Sequence, residues 1–224
     1  VRFGDGQRIG YEILARSRLS GLESPTQMFH IAEELGMEQE LSSLMRREGL
    51  RTGKALGLGG KFYVNTHPTE LRSPALLDSL KELREQHPEL GIVLEVHEAA
   101  VTSVDVLGDL RSRCDGLGIE LAYDDFGAGQ SRLVELAEAP PHVIKFDMHM
   151  IRGIARFPLE RRQMIKSLVE MVRSLDVVPL AEGIETADEA TACQEVGFEL
   201  AQGYYFGRPS PARAWDAPPL GDTA

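Results

Sequence analysis

The sequence predicts a parallel α/β fold closed into a (β/α)8 barrel. Three observations predict it. Short apolar runs alternate with amphipathic stretches at helical spacing along nearly the whole chain. The runs are continuously apolar, as expected of strands covered on both faces. Nearly every run carries one polar residue late in its length. A barrel gathers such strand tips at one mouth, whereas in an open sheet most of them would lie too far apart to meet.

The chain opens with VRF and RIGYEIL flanking GDGQ, and Asp5-Gly6 signals a hairpin over residues 1–14. Ser24-Pro25 opens a helix that Gly36 closes, and a second helix runs to about Leu56. Strand KFYVN (61–65) is followed by a helix over 73–87, which Pro88 ends, and by strand GIVLEV (91–96). A helix over 101–114 leads to strand GIELAYD (118–124) and then to HVIKFD (142–147). A helix over 158–175, strand VVPLAE (177–182), a helix over 186–197 and strand FELAQGY (198–204) complete the pattern. Thr186 and Gly197 suit the two ends of the last helix.

Composition narrows the function. The chain has 224 residues and a net charge of -11, which argues against a non-specific grip on DNA, RNA or an anionic membrane. Cys114 and Cys193 form no CxxC, so neither a zinc knuckle nor a disulfide framework is expected, and a reducing cytoplasm fits. No signal peptide or membrane-length apolar run is present. The first residues read like the middle of an element, so the chain is expected to be a fragment of a longer protein. Residues 1–214 are read as one barrel domain and 215–224 as a frayed, Pro-rich tail, with Trp215 packing the last segment onto the barrel.

The late polar residues are Glu12, Asn65, Glu95, Asp124 with Asp125, Lys145, Glu182 and Gln202. Any one of them reads as an ordinary strand-end polar; the set, among such apolar neighbours, does not. Five are carboxylates: Glu12, Glu95, Asp124, Asp125 and Glu182. Two like charges 4 Å apart repel by about 4 kcal/mol at an effective dielectric near 20. Such a cluster binds protons or cations, and an all-oxygen donor set suits two hard ions, Mg²⁺ or Mn²⁺. Neighbouring strand residues point to opposite faces, but a backbone turn at the strand end lets Asp124 and Asp125 both reach the mouth. Asp124 then bridges the two ions, a device suited to in-line attack at phosphorus. Lys145 either balances this charge or holds the attacking water.

Taken together, GYEILAR, FYVNTHP, LEVHE, YDDFGAG, IKFD, AEGIET and AQGYYFGRP resemble the EAL domain family over nearly the whole chain. The resemblance implies a (β/α)8 barrel whose first strand runs antiparallel. It implies Mg²⁺- or Mn²⁺-dependent hydrolysis of cyclic di-GMP to pGpG in bacterial signalling. It implies that Glu12, Asn65, Glu95 and Asp124 hold one ion, and that Asp124, Asp125 and, directly or through water, Glu182 hold the other. Lys145 and Gln202 correspond to the lysine and glutamine of that centre, Arg16 to an arginine that grips a substrate phosphate, and Leu14 to the leucine beside it. Glu98 corresponds to a glutamate that anchors the loop Phe126 to Ser131, which in the family also supports dimerisation, so a homodimer is expected. A fused sensory or regulatory domain is expected upstream. The signature reads EIL for EAL, and the loop reads FGAGQSRL for the usual FGTGYSSL. The segment SRLSGLESP after Arg16 is short and lacks a tryptophan. The alternative is a catalytically silent cyclic di-GMP receptor that relays a signal to neighbouring domains.

Overall fold

A computed structural model describes residues 1–97, 100, 103–129 and 133–211. Expectations that fall on Glu98, on loop residues 130–132, on Trp215 and on the tail lie outside these residues. The described elements run β1 (Gly10–Glu12), α1 (Pro25–Leu35), α2 (Glu38–Ala55), β2 (Lys61–Asn65), α3 (Pro74–Gln86), β3 (Gly91–His97), α4 (Val104–Gly116) and β4 (Glu120–Phe126). They continue with α5 (Leu133–Glu138), β5 (Val143–Phe146), α6 (Met148–Ile151), α7 (Leu159–Ser174), β6 (Val178–Ala181), α8 (Ala187–Val196) and β7 (Leu200–Ala201).

Caps set the longer helix ends as the sequence suggests. Ser24 accepts a hydrogen bond from the Gln27 amide in a capping box, Pro25 opens α1, and Gly36 ends it at φ 65°. Thr186 and Glu189 cap α8 in the same way, and Gly197 ends it at φ 107°. The short helices α5 and α6 are elements the sequence reading did not contain. At 6 and 4 residues they are too brief to show a periodic apolar stripe.

All seven strands lie in one sheet in chain order, and every neighbouring pair is parallel. The sheet curls on itself, because Gln202 beyond β7 donates a hydrogen bond to Glu12 at the end of β1. Register follows the tilt of a barrel: Glu12 lies opposite Tyr63, Glu95 opposite Ala122 and Lys145 opposite Leu180.

The expected antiparallel first strand is corrected. β1 runs parallel to β2, with Gly10 opposite Lys61. The Asp5-Gly6 turn does form, with Gly6 at φ 68° and the Arg2 amide 2.9 Å from the Gln7 carbonyl. No hairpin ladder follows it. The returning arm finds the edge of β2 instead, where the Lys61 amide donates to Ile9 and the Ile13 amide to Tyr63, both at 2.9 Å. A Cβ at Gly10 would lie 2.2 Å from the Lys61 carbonyl oxygen, so only glycine permits this approach. Antiparallel pairing among the described residues is confined to an isolated bridge between Arg2 and Leu200.

The core has two layers. Helices cover the outer face of the strands, where Phe62, Leu94, Leu121, Ile144 and Phe146 are fully buried. Inside the curl, Tyr63, Val93, Ala122, Val143, Leu180 and Leu200 form a separate cluster with one residue from each of β2 to β7. That inner cluster is the floor on which the site stands.

Candidate active site

Strand alternation builds the site. Two residues beyond each floor residue, the same face of the strand carries a polar group. Tyr63 leads to Asn65, Val93 to Glu95, Ala122 to Asp124, Val143 to Lys145, Leu180 to Glu182 and Leu200 to Gln202. Glu12 closes the ring from the end of β1.

Lys145 sits at the centre, 1 % exposed. Its ammonium lies 2.6 Å from Glu95 Oε1, 2.9 Å from Asp124 Oδ1, 2.9 Å from Glu182 Oε1 and 3.8 Å from Glu12 Oε2. Burial opposes its charge, but Glu95, Glu12, Glu182 and Asp124 outweigh burial and hold its pKa well above the usual lysine value. Burial pushes Glu95 well above the usual carboxylate range, with Glu12 and Asp124 adding to the effect against the pull of Lys145. Burial likewise pushes Glu182 up to about 7, opposed by Lys145 and reinforced by Asp124.

Asp125 reaches the mouth through its backbone. It adopts φ 57°, left-handed for a non-glycine residue, where the β4–β5 register shifts. Its amide donates to Asp124 Oδ1 at 3.1 Å, and its own carboxylate lies 2.9 Å from His97 Nε2. Burial first, then the charge of Asp124, raises its pKa.

Asn65 lies in register beside Glu95 at the end of β2. Leu14 and Arg16 are exposed, on the segment after β1. They line a cavity of about 840 Å³, together with Glu12, Gln202 and Tyr204, between β1, α2 and the chain after β7. Through Glu12 and Gln202 the ring borders a space for a ligand, with Arg16 on its wall.

The donor set fits divalent ions. Ligand oxygens of Asp124, Asp125 and Glu182 all lie within 4.8 Å of one another. Glu95 is fully buried, and apart from the Lys145 ion pair neither of its oxygens has a well-directed hydrogen bond. One ammonium faces four carboxylates, with Asp125 beside Asp124, and buried acceptors without donors call for further cations.

The EAL domain family matches residues 1–209. The chain belongs to this family. NbdA, a cyclic di-GMP phosphodiesterase of Pseudomonas aeruginosa, is 31 % identical over 225 residues, covering 96 % of this chain and 28 % of NbdA. The structure of the MucR phosphodiesterase in complex with cyclic di-GMP superposes with a TM-score of 0.81 at 27 % identity, over 92 % of this chain and 91 % of that one. A manganese and cyclic di-GMP complex of Klebsiella pneumoniae BlrP1 gives 0.79 at 29 % identity, over 93 % of this chain and 54 % of that one.

Beside the end of β2 in this EAL domain lies a feature that no motif in the sequence announces. Arg46 of α2 and Glu70, in the 3-10 turn Pro68–Glu70 after β2, are 1 % and 2 % exposed. They form a bidentate pair at 2.6 and 2.8 Å. Arg46 stands in an otherwise helical, polar-faced run, RREGLR, where nothing local separates it from a solvated arginine. His97, at the end of β3, lies against Asp125.

Proposed function

We propose that the domain is a divalent-metal-dependent phosphodiesterase that hydrolyses cyclic di-GMP to pGpG. The observation that carries this reading is the set of four carboxylates around Lys145, with Asp125 beside them, and with Glu12 of that set bordering the cavity that has Arg16 on its wall. Membership of the EAL family and the cyclic di-GMP complexes of its structural neighbours support the choice of substrate.

Glu12, Asn65, Glu95 and Asp124 would hold one Mg²⁺ or Mn²⁺ ion, and Asp124, Asp125 and Glu182 the other. Bound there, the ions lower the pKa of water and neutralise charge at the phosphoryl oxygens. The chain's own groups do the rest. Arg16 and Leu14 grip and align the dinucleotide at the cavity wall. Lys145 orients the attacking water and stays protonated, since its surrounding carboxylates stabilise its charge. Gln202 donates its amide to Glu12 and so fixes the carboxylate that faces the substrate phosphate. Glu182, 2.9 Å from the Lys145 ammonium, is held in place as a ligand of the second ion.

The test is incubation with cyclic di-GMP and Mn²⁺, with chromatography for pGpG. Turnover that EDTA and Glu12→Ala both abolish is the expected result. Micromolar binding of unchanged ligand with no product would replace the enzyme with a receptor.

A further inference from the structure

We propose that the buried Arg46–Glu70 pair is a positioning device that sets the end of β2, and with it Asn65, for metal binding. The inference rests on the metal-dependent reading above and extends it to residues that touch no ligand.

The geometry is a clamp on one short piece of backbone. Arg46 donates to Glu70 through both terminal nitrogens, at 2.8 and 2.6 Å. The same guanidinium reaches the Asn65 carbonyl at 3.2 Å, Ser42 Oγ at 2.9 Å and Ser79 Oγ at 3.2 Å. Glu70 Oε2 and Ser42 Oγ in turn accept the His67 amide, at 3.0 and 3.2 Å. Between these two anchored points the Thr66 amide donates to the Glu95 carbonyl at 3.0 Å. Residues 65–70 are thus tied to α2, to α3 and to the strand that carries Glu95. Asn65 and Glu95, neighbours in register, belong to the same proposed ligand set.

Stability alone does not account for this network. Burying two charges is unfavourable, and an apolar pair of the same volume often serves as well or better. Arg46 Nε is left without a partner, which adds to the penalty. What an apolar pair cannot supply is direction: a planar guanidinium fixes two carboxylate oxygens and a carbonyl in one plane. Supporting groups of this kind change metal affinity by about 10–100-fold when removed.

The experiment measures Mn²⁺ affinity by titration calorimetry, without substrate, for wild type and for Arg46→Met/Glu70→Leu. A role in folding only and a role in positioning then separate. The double variant is expected to melt near or above the wild-type temperature, yet to bind Mn²⁺ about tenfold more weakly and to turn cyclic di-GMP over more slowly at saturation. Wild-type Mn²⁺ affinity in a folded double variant overturns the proposal. If that variant does not fold, Glu70→Gln replaces it, and unchanged affinity there is equally fatal. A wild-type protein that binds no Mn²⁺ defeats the metal reading itself, a distinct outcome.

Discussion

Asp124 is the residue on which the two proposed ligand sets meet. Its carboxylate is 2.9 Å from Lys145 and within reach of Asp125 and Glu182. Asp124→Asn keeps the shape but removes the negative charge and one of the two donor oxygens, so turnover is expected to fall by about a hundredfold or more. A steady-state assay with cyclic di-GMP and Mn²⁺ checks this, and a full rate would refute the bridging assignment. Lys145 shows the opposite dependence. Replacing it by Met leaves Glu95, Asp124 and Glu182 without their shared cation. The metal-free variant should lose about 3–5 kcal/mol of stability, read from denaturant unfolding in EDTA. Mn²⁺ should recover more stability in the variant than in wild type, because added cations then substitute for the missing ammonium.

At the scale of elements, strand ends and the turns after them aim the chemistry. Glu182 leaves β6 and is followed by Gly183 at φ 68°. A Cβ there would fall 2.3 Å from Met148 Cβ on α6. Glu189 of α8 then accepts the amides of Glu185 at 2.9 Å and Thr186 at 3.2 Å, which ties down the far end of the same turn. The turn therefore has little freedom to absorb a side chain. Gly183→Ala is expected to destabilise the domain by about 2–4 kcal/mol, from left-handed backbone strain plus overpacking. Thermal unfolding gives the stability loss, and the pGpG assay should show activity falling with it.

Across the whole molecule, the mouth makes stability depend on pH. In the folded state burial pushes the Glu182 pKa up to about 7, against 4.5 for an ordinary glutamate. Between those values the unfolded chain has released a proton that the folded chain still holds. The stability from this group is therefore full below about pH 4.5 and is lost as pH rises towards 7. His87 and His142, whose pKa values burial lowers, act in the opposite direction over part of that range. Comparison of wild type with Glu182→Gln, both in EDTA, isolates the carboxylate. Wild type should lose about 3 kcal/mol relative to the variant between pH 4 and pH 7.5. Mn²⁺ binding needs the ionised ring, so its affinity should climb across the same window. A flat difference between the two proteins would remove Glu182 from the coupled cluster.

Much of this molecule was legible in its sequence, for a local reason. Helix caps such as Ser24 and Thr186 act within four residues of themselves, and steps from floor to mouth such as Val93 to Glu95 span two. Patterns of that length survive any tertiary arrangement, so element order, parallel α/β class and the roster of late polar residues could be read in advance. Only the folded chain decided the rest. The partner of β1 was chosen by the close approach of Gly10 to Lys61, across about fifty residues of chain. The left-handed turn at Asp125 follows from a register shift against β5. Arg46 and Glu70 lie 24 residues apart and meet because α2 packs over the end of β2. Pairings between distant residues depend on loop closure and packing together, and no short window of sequence contains both.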